Sequence, residues 1–174
     1  MNLEKTVETI THSGVIFEVV ERPEVFGAGK VAYAPDFNSE PDFEKLLKEY
    51  QGLMSIPMLE PVTPDWSAAI SIDYCREGVL CGMMYGAETY TDEQDERYDL
   101  YKMPASLFIR VQNNADAAKL LGKELQGAWE LFGVIKEQIM YQHGYKFNDN
   151  GAQEIEYSNH KDGTQYVYVP VVKI

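Results

Sequence analysis

Two segments near the C-terminus combine carboxylates and aromatic rings at a spacing that suits the binding of a flat cation. One segment, 154–157, carries Glu154 and Glu156 at alternate positions, and the other carries Tyr166 and Tyr168 between valines. Side chains of a strand point alternately to the two faces of a sheet. If a helix covers the valines, we expect the open face to present Tyr166, Tyr168 and Glu156 together. Aromatic rings and carboxylates both attract cations, so the pattern predicts a pocket for a flat, positively charged molecule.

The composition is that of an ordinary soluble globular protein with an acidic surface. Apolar residues make up 45% of the 174 residues and charged residues 25%, and this length suits one domain with a buried core. The net charge of −13 argues against nucleic-acid binding, because phosphate contacts need clustered Lys and Arg. The same charge disfavours anionic membranes and raises the local concentration of cations. Because no apolar run resembles a membrane span or a signal-peptide core, we expect a cytoplasmic protein.

Cysteine and histidine are too few and too scattered to suggest a metal centre or a disulfide framework. Cys75 and Cys81 are the only cysteines, and His12, His143 and His160 lie far apart without the spacing of paired ligands. The acidic residues between 91 and 97 do not match a calcium loop either, and a solvated linker is expected there. We therefore predict a protein without a metal or another cofactor.

The order of elements repeats along the chain, which predicts two similar halves, 15–90 and 98–174, within a single domain, 1–174. Each half reads strand, helix, strand, strand, and the stretch before the helix is divided into two strand segments around Arg22-Pro23 in the first half and Met103-Pro104 in the second. Alternating apolar residues bounded by turn residues predict the strands, which we place at 15–20, 26–33, 67–74, 79–87, 98–101, 107–112, 153–159 and 165–172.

One helix is predicted in each half. In the first half it covers 40–54, with Ser39 as its N-cap and Asp42 completing a capping box. In the second half a single long helix covers 114–143 and ends at Gly144, a residue that favours the end of a helix. The apolar face of this long helix is expected to pack in the core, and it consists of Leu121, Leu125, Ala128, Phe132, Ile135 and Ile139.

The chain resembles the effector-binding domain of AraC- and MerR-type multidrug-response regulators and of small gyrase-inhibitor-like proteins. The motifs that carry the resemblance are Lys102-Met103-Pro104, Gly144-Tyr145, Ile155-Glu156-Tyr157 and Tyr168-Val169-Pro170-Val171, with Met83-Met84-Tyr85-Gly86 in the first half. The resemblance implies an α+β fold of two pseudo-symmetric strand-helix-strand-strand units. These units are expected to form a curved antiparallel sheet with the helices on its convex side and a central ligand groove.

The resemblance also implies a function, the binding of lipophilic, cationic aromatic small molecules in the groove. Glu156 matches the position of the family's charge partner, and Glu154 is its rival. A carboxylate in an apolar groove is costly to desolvate unless a cation pairs with it. Trp129 also lies among apolar helix positions, where core packing is the alternative. The aromatic residues expected to line the groove are Tyr85, Tyr90, Tyr101, Tyr166, Tyr168, Trp66 and Trp129.

Nothing in the sequence corresponds to the DNA-binding domain that the related regulators carry. We therefore expect a stand-alone sensor, sequestrant or regulatory protein without direct nucleic-acid or membrane binding. The resemblance implies gyrase or a regulator as its protein partner. One alternative is a hydrolase of strained or electrophilic lipophilic compounds, with Glu156 as general acid or base. Another is a protein-interaction module, which would expose an apolar patch outside the groove.

Overall fold

The computed structural model describes residues 4–122 and 128–174, which form one curved antiparallel sheet with helices on one side. No helix among these residues is long and apolar enough to cross a membrane. The helices are α1 (Phe43–Gln51), α2 (Ala115–Leu120) and α3 (Trp129–Val134), and α3 continues as a π-helix (Ile135–Ile139) and a 3-10 turn (Tyr141–His143). The strands are β1 (Lys5–His12), β2 (Val15–Arg22), β3 (Val25–Tyr33), β4 (Trp66–Ile72), β5 (Gly82–Thr89), β6 (Asp99–Met103), β7 (Ser106–Gln112), β8 (Tyr145–Phe147), β9 (Glu154–Asn159) and β10 (Gln165–Lys173).

The order of the strands is symmetric about the centre of the sheet. From edge to edge the strands lie β1-β2-β7-β10-β9-β4-β5-β3-β6, and β8 pairs with β10 off this path. The strands β4 and β9 pair at the centre, and outward from them β5 matches β10, β3 matches β7 and β6 matches β2. The exchange of outer strands is reciprocal, because β2 pairs with β7 and β6 pairs with β3. This order confirms the two pseudo-symmetric units, while the division at 15–90 and 98–174 stays a prediction.

The two faces of the sheet bury different cores. On one face, which we call the helix face, Val167, Val169 and Val171 of β10 pack against α3 and the π-helix. On the same side, α1 lies against β3 and β5. The other face, which we call the tyrosine face, carries no helix among the described residues, and its buried side chains include Val20, Ile70, Met84, Phe108, Ile155, Tyr157 and Tyr168. The described helices therefore all lie on the helix face of the sheet.

One ion pair shows how strongly the sheet curves toward the tyrosine face. Arg22 ends β2 and Glu88 lies in β5, and four strands (β7, β10, β9 and β4) separate β2 from β5 in the sheet. In a flat sheet, with a spacing of about 4.8 Å between strands, these residues would be more than about 20 Å apart. The Nη2 atom of Arg22 nevertheless lies 2.6 Å from Oε1 of Glu88. The tyrosine face is therefore concave, and the helices lie on the convex side of the sheet, as predicted.

Two glycines let β3 and β5 approach each other closely within this curve. Gly29 and Gly86 lie directly opposite each other in the two strands. A Cβ atom at Gly86 would overlap the carbonyl oxygen of Ala28, and a Cβ atom at Gly29 would overlap the carbonyl oxygen of Tyr85. Neither position has room for a side chain.

The first helix begins later than the sequence suggests. Its N-cap is Asp42, whose side chain accepts a hydrogen bond from the backbone N–H of Lys45 at 3.1 Å. Ser39 instead donates a hydrogen bond to Asp36 in the preceding loop. The predicted N-cap at Ser39 is wrong because an Asp side chain caps a helix equally well and lies closer to its first turn.

The predicted long helix is interrupted. Asn114 caps α2, but α2 ends at Leu120, and Gly122 takes a left-handed conformation with φ of 66°. Because glycine has no Cβ atom, it adopts this conformation easily and ends the helix there. Leu125 lies outside the described residues. Gly144 ends the 3-10 turn with φ of 78°, as predicted. The predicted apolar face is confirmed at the buried residues Ala128, Phe132, Ile135 and Ile139.

The edge strand β1 was not expected from the sequence. It pairs with β2 from Lys5 to His12 with a break in register at Val7, and only Ile10 of its side chains is buried. A strand with one exposed face is recognised by alternating apolar residues, and β1 lacks that alternation.

We expect Gly86→Ala to lower the free energy of unfolding by about 3 kcal/mol, because the added methyl group forces β3 and β5 apart. Gly133→Ala in α3 is the control, since nothing lies within 4 Å of a Cβ atom added there. That substitution should raise stability by about 0.5–1 kcal/mol, because Ala is a better helix former than Gly. Urea unfolding measures both variants, and similar effects for the two would contradict the close approach.

Candidate functional site

A row of aromatic rings lies on the tyrosine face where β10, β9 and β4 meet. Cross-strand pairing places Tyr166 opposite Tyr157, and Tyr157 opposite Ala68, so these side chains point to one face. Trp66 stacks on Tyr157, with the ring centroids 5.0 Å apart and the ring planes inclined by 22°. Tyr168 meets Tyr157 edge to face at 6.3 Å. Trp66 and Tyr166 are half-buried, so the row has an accessible rim.

The inner end of this row forms a cage around the guanidinium group of Arg22. The Cζ atom of Arg22 lies 5.0 Å from the centroid of the Tyr168 ring, 5.8 Å from that of Tyr157 and 5.7 Å from that of Phe108. Arg22 donates two hydrogen bonds to the Glu88 carboxylate, at 2.6 and 3.1 Å. Arg22 is 3% exposed and Glu88 is 2% exposed. The cage therefore holds a flat cation between aromatic rings and a carboxylate.

The surroundings of the cage keep its cation charged and its phenols neutral. Burial alone lowers the pKa of Arg22, but the adjacent Glu88 carboxylate outweighs burial and leaves this pKa above its ordinary value. Burial raises the pKa of Tyr157, with a further contribution from Glu88, and burial together with Glu4 raises the pKa of Tyr168. The Arg22 guanidinium therefore stays charged in the neutral pH range, and the tyrosine hydroxyls stay protonated.

A second guanidinium group covers the outer part of the row. Arg110 of β7 lies directly opposite Glu18 of β2, and its Cζ atom lies 4.9 Å from the centroid of the Tyr166 ring. Its Nε atom donates a hydrogen bond to Glu18 at 2.9 Å, and its Nη1 atom pairs with the Glu4 carboxylate. Because Glu4 also lies 3.0 Å from Nε of Arg22, this carboxylate connects the two arginines.

The prediction that Glu156 shares a face with the tyrosines is wrong. The pairing of β9 with β10 places Val167 opposite Glu156, and Tyr168 opposite Ile155. Directly opposite residues point to the same face, so Glu156 joins the valines on the helix face. There Gln165 donates a hydrogen bond to Glu156 at 2.6 Å. Burial raises the pKa of Glu156, and the hydrogen bond from Gln165 opposes this change only in part.

The rival carboxylate, Glu154, also lies on the helix face, opposite Ser71 of β4. It is buried and forms an ion pair with Lys136 of the π-helix at 2.7 Å. Lys136 also donates a hydrogen bond to the sulfur atom of Cys75 at 3.5 Å. The contact between Glu154 and Lys136 joins the π-helix to the sheet, and neither predicted carboxylate faces the aromatic row.

The predicted aromatic residues divide between the two faces. Tyr85 packs edge to face on Tyr50 of α1 at 5.3 Å, so Tyr85 lies on the helix face. Trp129 lies on α3 and is 65% exposed. The predictions that Tyr85 and Trp129 line the groove are wrong, because alternation in β5 turns Tyr85 away from Glu88, and because α3 packs on the convex side. The others lie on the tyrosine face, and their role as ligand contacts stays a prediction: Trp66, Tyr90, Tyr101, Tyr166 and Tyr168.

The sequence did not predict the charged residues of the site, Arg22, Glu88 and Arg110. A signal for two of them exists, because Arg22 alternates with the buried Val20 and Glu88 alternates with the buried Met84. A charged residue at a core position of a strand needs a partner. The partner could not be named, because a contact between β2 and β5 depends on the curvature of the whole sheet.

Away from the aromatic row, the described part of the chain encloses a larger and a smaller cavity. The larger has a volume of about 550 Å³, and Asp73, Arg76, Lys146 and Asp149 contribute charges to its wall. Its volume falls in the range of small-molecule pockets, although such pockets are mainly apolar. The smaller, of about 230 Å³, lies between α2 and the neighbouring ends of β2 and β7. Within 4–122 and 128–174, no group of three or more His, Cys, Asp and Glu side chains is placed to hold a metal ion.

Comparison with solved structures confirms the fold that the resemblance implied. The C-terminal domain of EcmrR matches with a TM-score of 0.53 at 16% identity, over 91% of this chain and 98% of that domain. SAV2435, solved with bound tetraphenylphosphonium, matches with a TM-score of 0.57 at 11% identity, over 90% of this chain and 93% of the other. An integron cassette protein of Vibrio cholerae matches with a TM-score of 0.50 at 10% identity, over 90% and 95%. At identities of 10–16%, the likeness to these structures extends to the fold alone. No family model and no curated protein matches the sequence.

We expect Glu156→Gln either to leave the free energy of unfolding at pH 7 within about 0.5 kcal/mol of the wild-type value or to raise it. Because the pKa of Glu156 is raised on folding, its contribution to stability is present at acidic pH and is lost as pH rises through that pKa. Gln keeps an acceptor for Gln165 without the charge. Melting temperatures measured at pH 7 and at about pH 4 should show the variant gaining on the wild type at the higher pH. A larger loss at pH 7 would contradict this account.

We expect Arg22→Met to lower the free energy of unfolding by about 3–5 kcal/mol, because it leaves Glu88 as a buried charge without its partner. Glu88→Gln should destabilise the protein for the same reason. The double variant should be more stable than the sum of the two losses implies, by at least about 2 kcal/mol, because neither buried charge remains. Urea unfolding of the four proteins measures this coupling, and additive losses would show that the pair acts only through packing.

Proposed function

We propose that this chain binds planar, lipophilic, cationic aromatic molecules on its tyrosine face and acts through that binding as a sensor, sequestrant or regulatory protein. One observation carries the proposal: two of the chain's own guanidinium groups lie over aromatic rings of this face, with centroid distances of 4.9–5.8 Å. A ligand that carries a flat, delocalised positive charge presents the same chemistry to the same surface.

The rim of the aromatic row is the proposed place of binding. The ring centroids of Trp66 and Tyr166 lie 6.3 Å apart, and both side chains are half-buried. The inner cage is unsuitable because Arg22 already fills it. A ligand ring that lies on Tyr166 or Trp66 gains stacking area, and these rigid side chains lose little entropy on binding.

Glu18 and Glu4 are the carboxylates that a cation at this rim would meet. Both pair with Arg110 beside Tyr166, and their side chains are 29% and 12% exposed. Partial burial strengthens the contact of a carboxylate with a cation, because less water competes for the charge. The net charge of −13 adds a long-range attraction for cations.

One structural neighbour supports a lipophilic aromatic cation as the class of ligand. SAV2435 was solved with tetraphenylphosphonium, a lipophilic aromatic cation. EcmrR was solved in a complex with DNA, and this chain matches 57% of that longer protein. A regulator or gyrase as the protein partner of this chain is suggested by the family resemblance.

Hydrolysis is not proposed for this face. The hydrolase alternative depends on Glu156 beside the aromatic rings, and Glu156 lies on the helix face. Each of the carboxylates Glu4, Glu18 and Glu88 beside the rings is paired with an arginine.

We expect the planar cationic dye proflavine to bind the protein, and we expect Tyr166→Ala and Trp66→Ala each to weaken its binding about tenfold. This factor is the scale of one lost stacking or cation–π contact. The fluorescence anisotropy of the dye measures the dissociation constant.

Trp129→Ala is the matched control, because it removes an exposed tryptophan on the opposite side of the sheet. Trp129→Ala and Glu156→Gln should both leave the dissociation constant unchanged. Acridone, a neutral molecule with a similar three-ring system, should bind more weakly than proflavine. Binding that responds to Trp129→Ala but not to Tyr166→Ala would overturn the proposal.

A further inference from the structure

We propose that Arg110 is a built-in competitor of the ligand: its guanidinium group occupies the place over Tyr166 that a cationic ring would take. The proposal rests on the proposed function and adds to it a residue that sets the affinity any ligand must exceed.

The contacts of Arg110 are those that a flat cation at the rim would make. Its Cζ atom lies 4.9 Å from the centroid of Tyr166. Glu18 Oε2 accepts from Nε at 2.9 Å and lies 2.8 Å from Nη2, and Glu4 pairs with Nη1. The hydroxyl group of Tyr168 accepts a further hydrogen bond from Nη1 at 3.3 Å. A ligand that covers Tyr166 and reaches these carboxylates must therefore displace this guanidinium.

Arg110 is exchangeable, whereas Arg22 is not. The side chain of Arg110 is 21% exposed and lies at the rim, so rotation about its side-chain bonds carries the guanidinium into water. The side chain of Arg22 is 2% exposed, and its departure would leave Glu88 buried without a partner. A buried carboxylate without a partner is strongly unfavourable. The ion pair of Arg22 with Glu88 therefore stays intact while Arg110 leaves its place over Tyr166.

The two carboxylates that Arg110 leaves behind determine which molecules bind. A neutral aromatic molecule that displaces Arg110 leaves Glu4 and Glu18 without a counter-ion, whereas a cation replaces the partner they lose. Arg110 therefore weakens the binding of every ligand by a similar factor, and the carboxylates separate cations from neutral rings. The ligand class selected in this way is a ring system with a delocalised positive charge, such as an aminoacridinium or an aryl amidinium.

Arg110→Ala tests this competition directly. We expect the affinity for proflavine to rise about tenfold, the combined scale of a cation–π contact and a partly exposed ion pair that the ligand no longer has to replace. The affinity for acridone should rise by a similar factor, so the ratio of the two affinities stays unchanged. In this variant, millimolar ethylguanidinium should compete with the dye, because it fills the vacated place, while ethylammonium, which is not planar, should not. The wild type should show no such competition.

Arg110→Lys is the second variant, and it keeps the positive charge without the planar group. Its affinity for proflavine should rise by less than that of Arg110→Ala, and it provides a test should Arg110→Ala fail to fold. If neither variant binds proflavine more tightly than the wild type, the competition does not exist and Arg110 is an ordinary structural residue. If the wild type and Tyr166→Ala bind the dye equally, the proposed function itself fails, and this outcome is distinct from the first.

Discussion

The ion pair between Arg22 and Glu88 is the contact on which the concave shape of the sheet depends. It joins β2 to β5 across four intervening strands, and both side chains are buried. A buried ion pair adds little stability over an apolar contact of the same size, yet the loss of one partner is costly. Its main effect is therefore on geometry, because the sheet must close until the two charges meet. That closure is what gathers Tyr157 and Tyr168 around the guanidinium of Arg22.

A network of charged side chains leads from this ion pair to the rim of the aromatic row. Glu4 links Arg22 to Arg110, and Glu18 holds Arg110 over the edge of the row. This network contains three carboxylates and two guanidinium groups, so it carries an excess of negative charge. An added cation improves that balance and an added anion worsens it, which is why we favour a cationic ligand. A ligand cannot replace Arg22 in its ion pair with Glu88, but it can replace Arg110. The tyrosine face therefore combines a fixed inner ion pair with an exchangeable arginine at its rim.

Most elements of the fold could be predicted from the sequence, because apolar alternation marks β10 and the strands that pack under helices. The valines of β10 indeed lie under the π-helix region. The face of Glu156 could not be predicted, because alternation within β9 does not say which of its faces joins the tyrosines of β10. That depends on the register, which pairs Gln165 with Ser158 across the intervening turn. Contacts between distant strands, such as Arg22 with Glu88, leave even less trace in the sequence, since only the curvature of the finished sheet brings them together.

The measurement that tests the central claim most directly is a crystal structure of the protein with bound proflavine. We expect the dye on Tyr166 beside Trp66, with Arg110 turned toward solvent and the ion pair of Arg22 with Glu88 intact. Dye in the cavity of about 550 Å³ beside Lys146, or against Glu156 on the helix face, would contradict it.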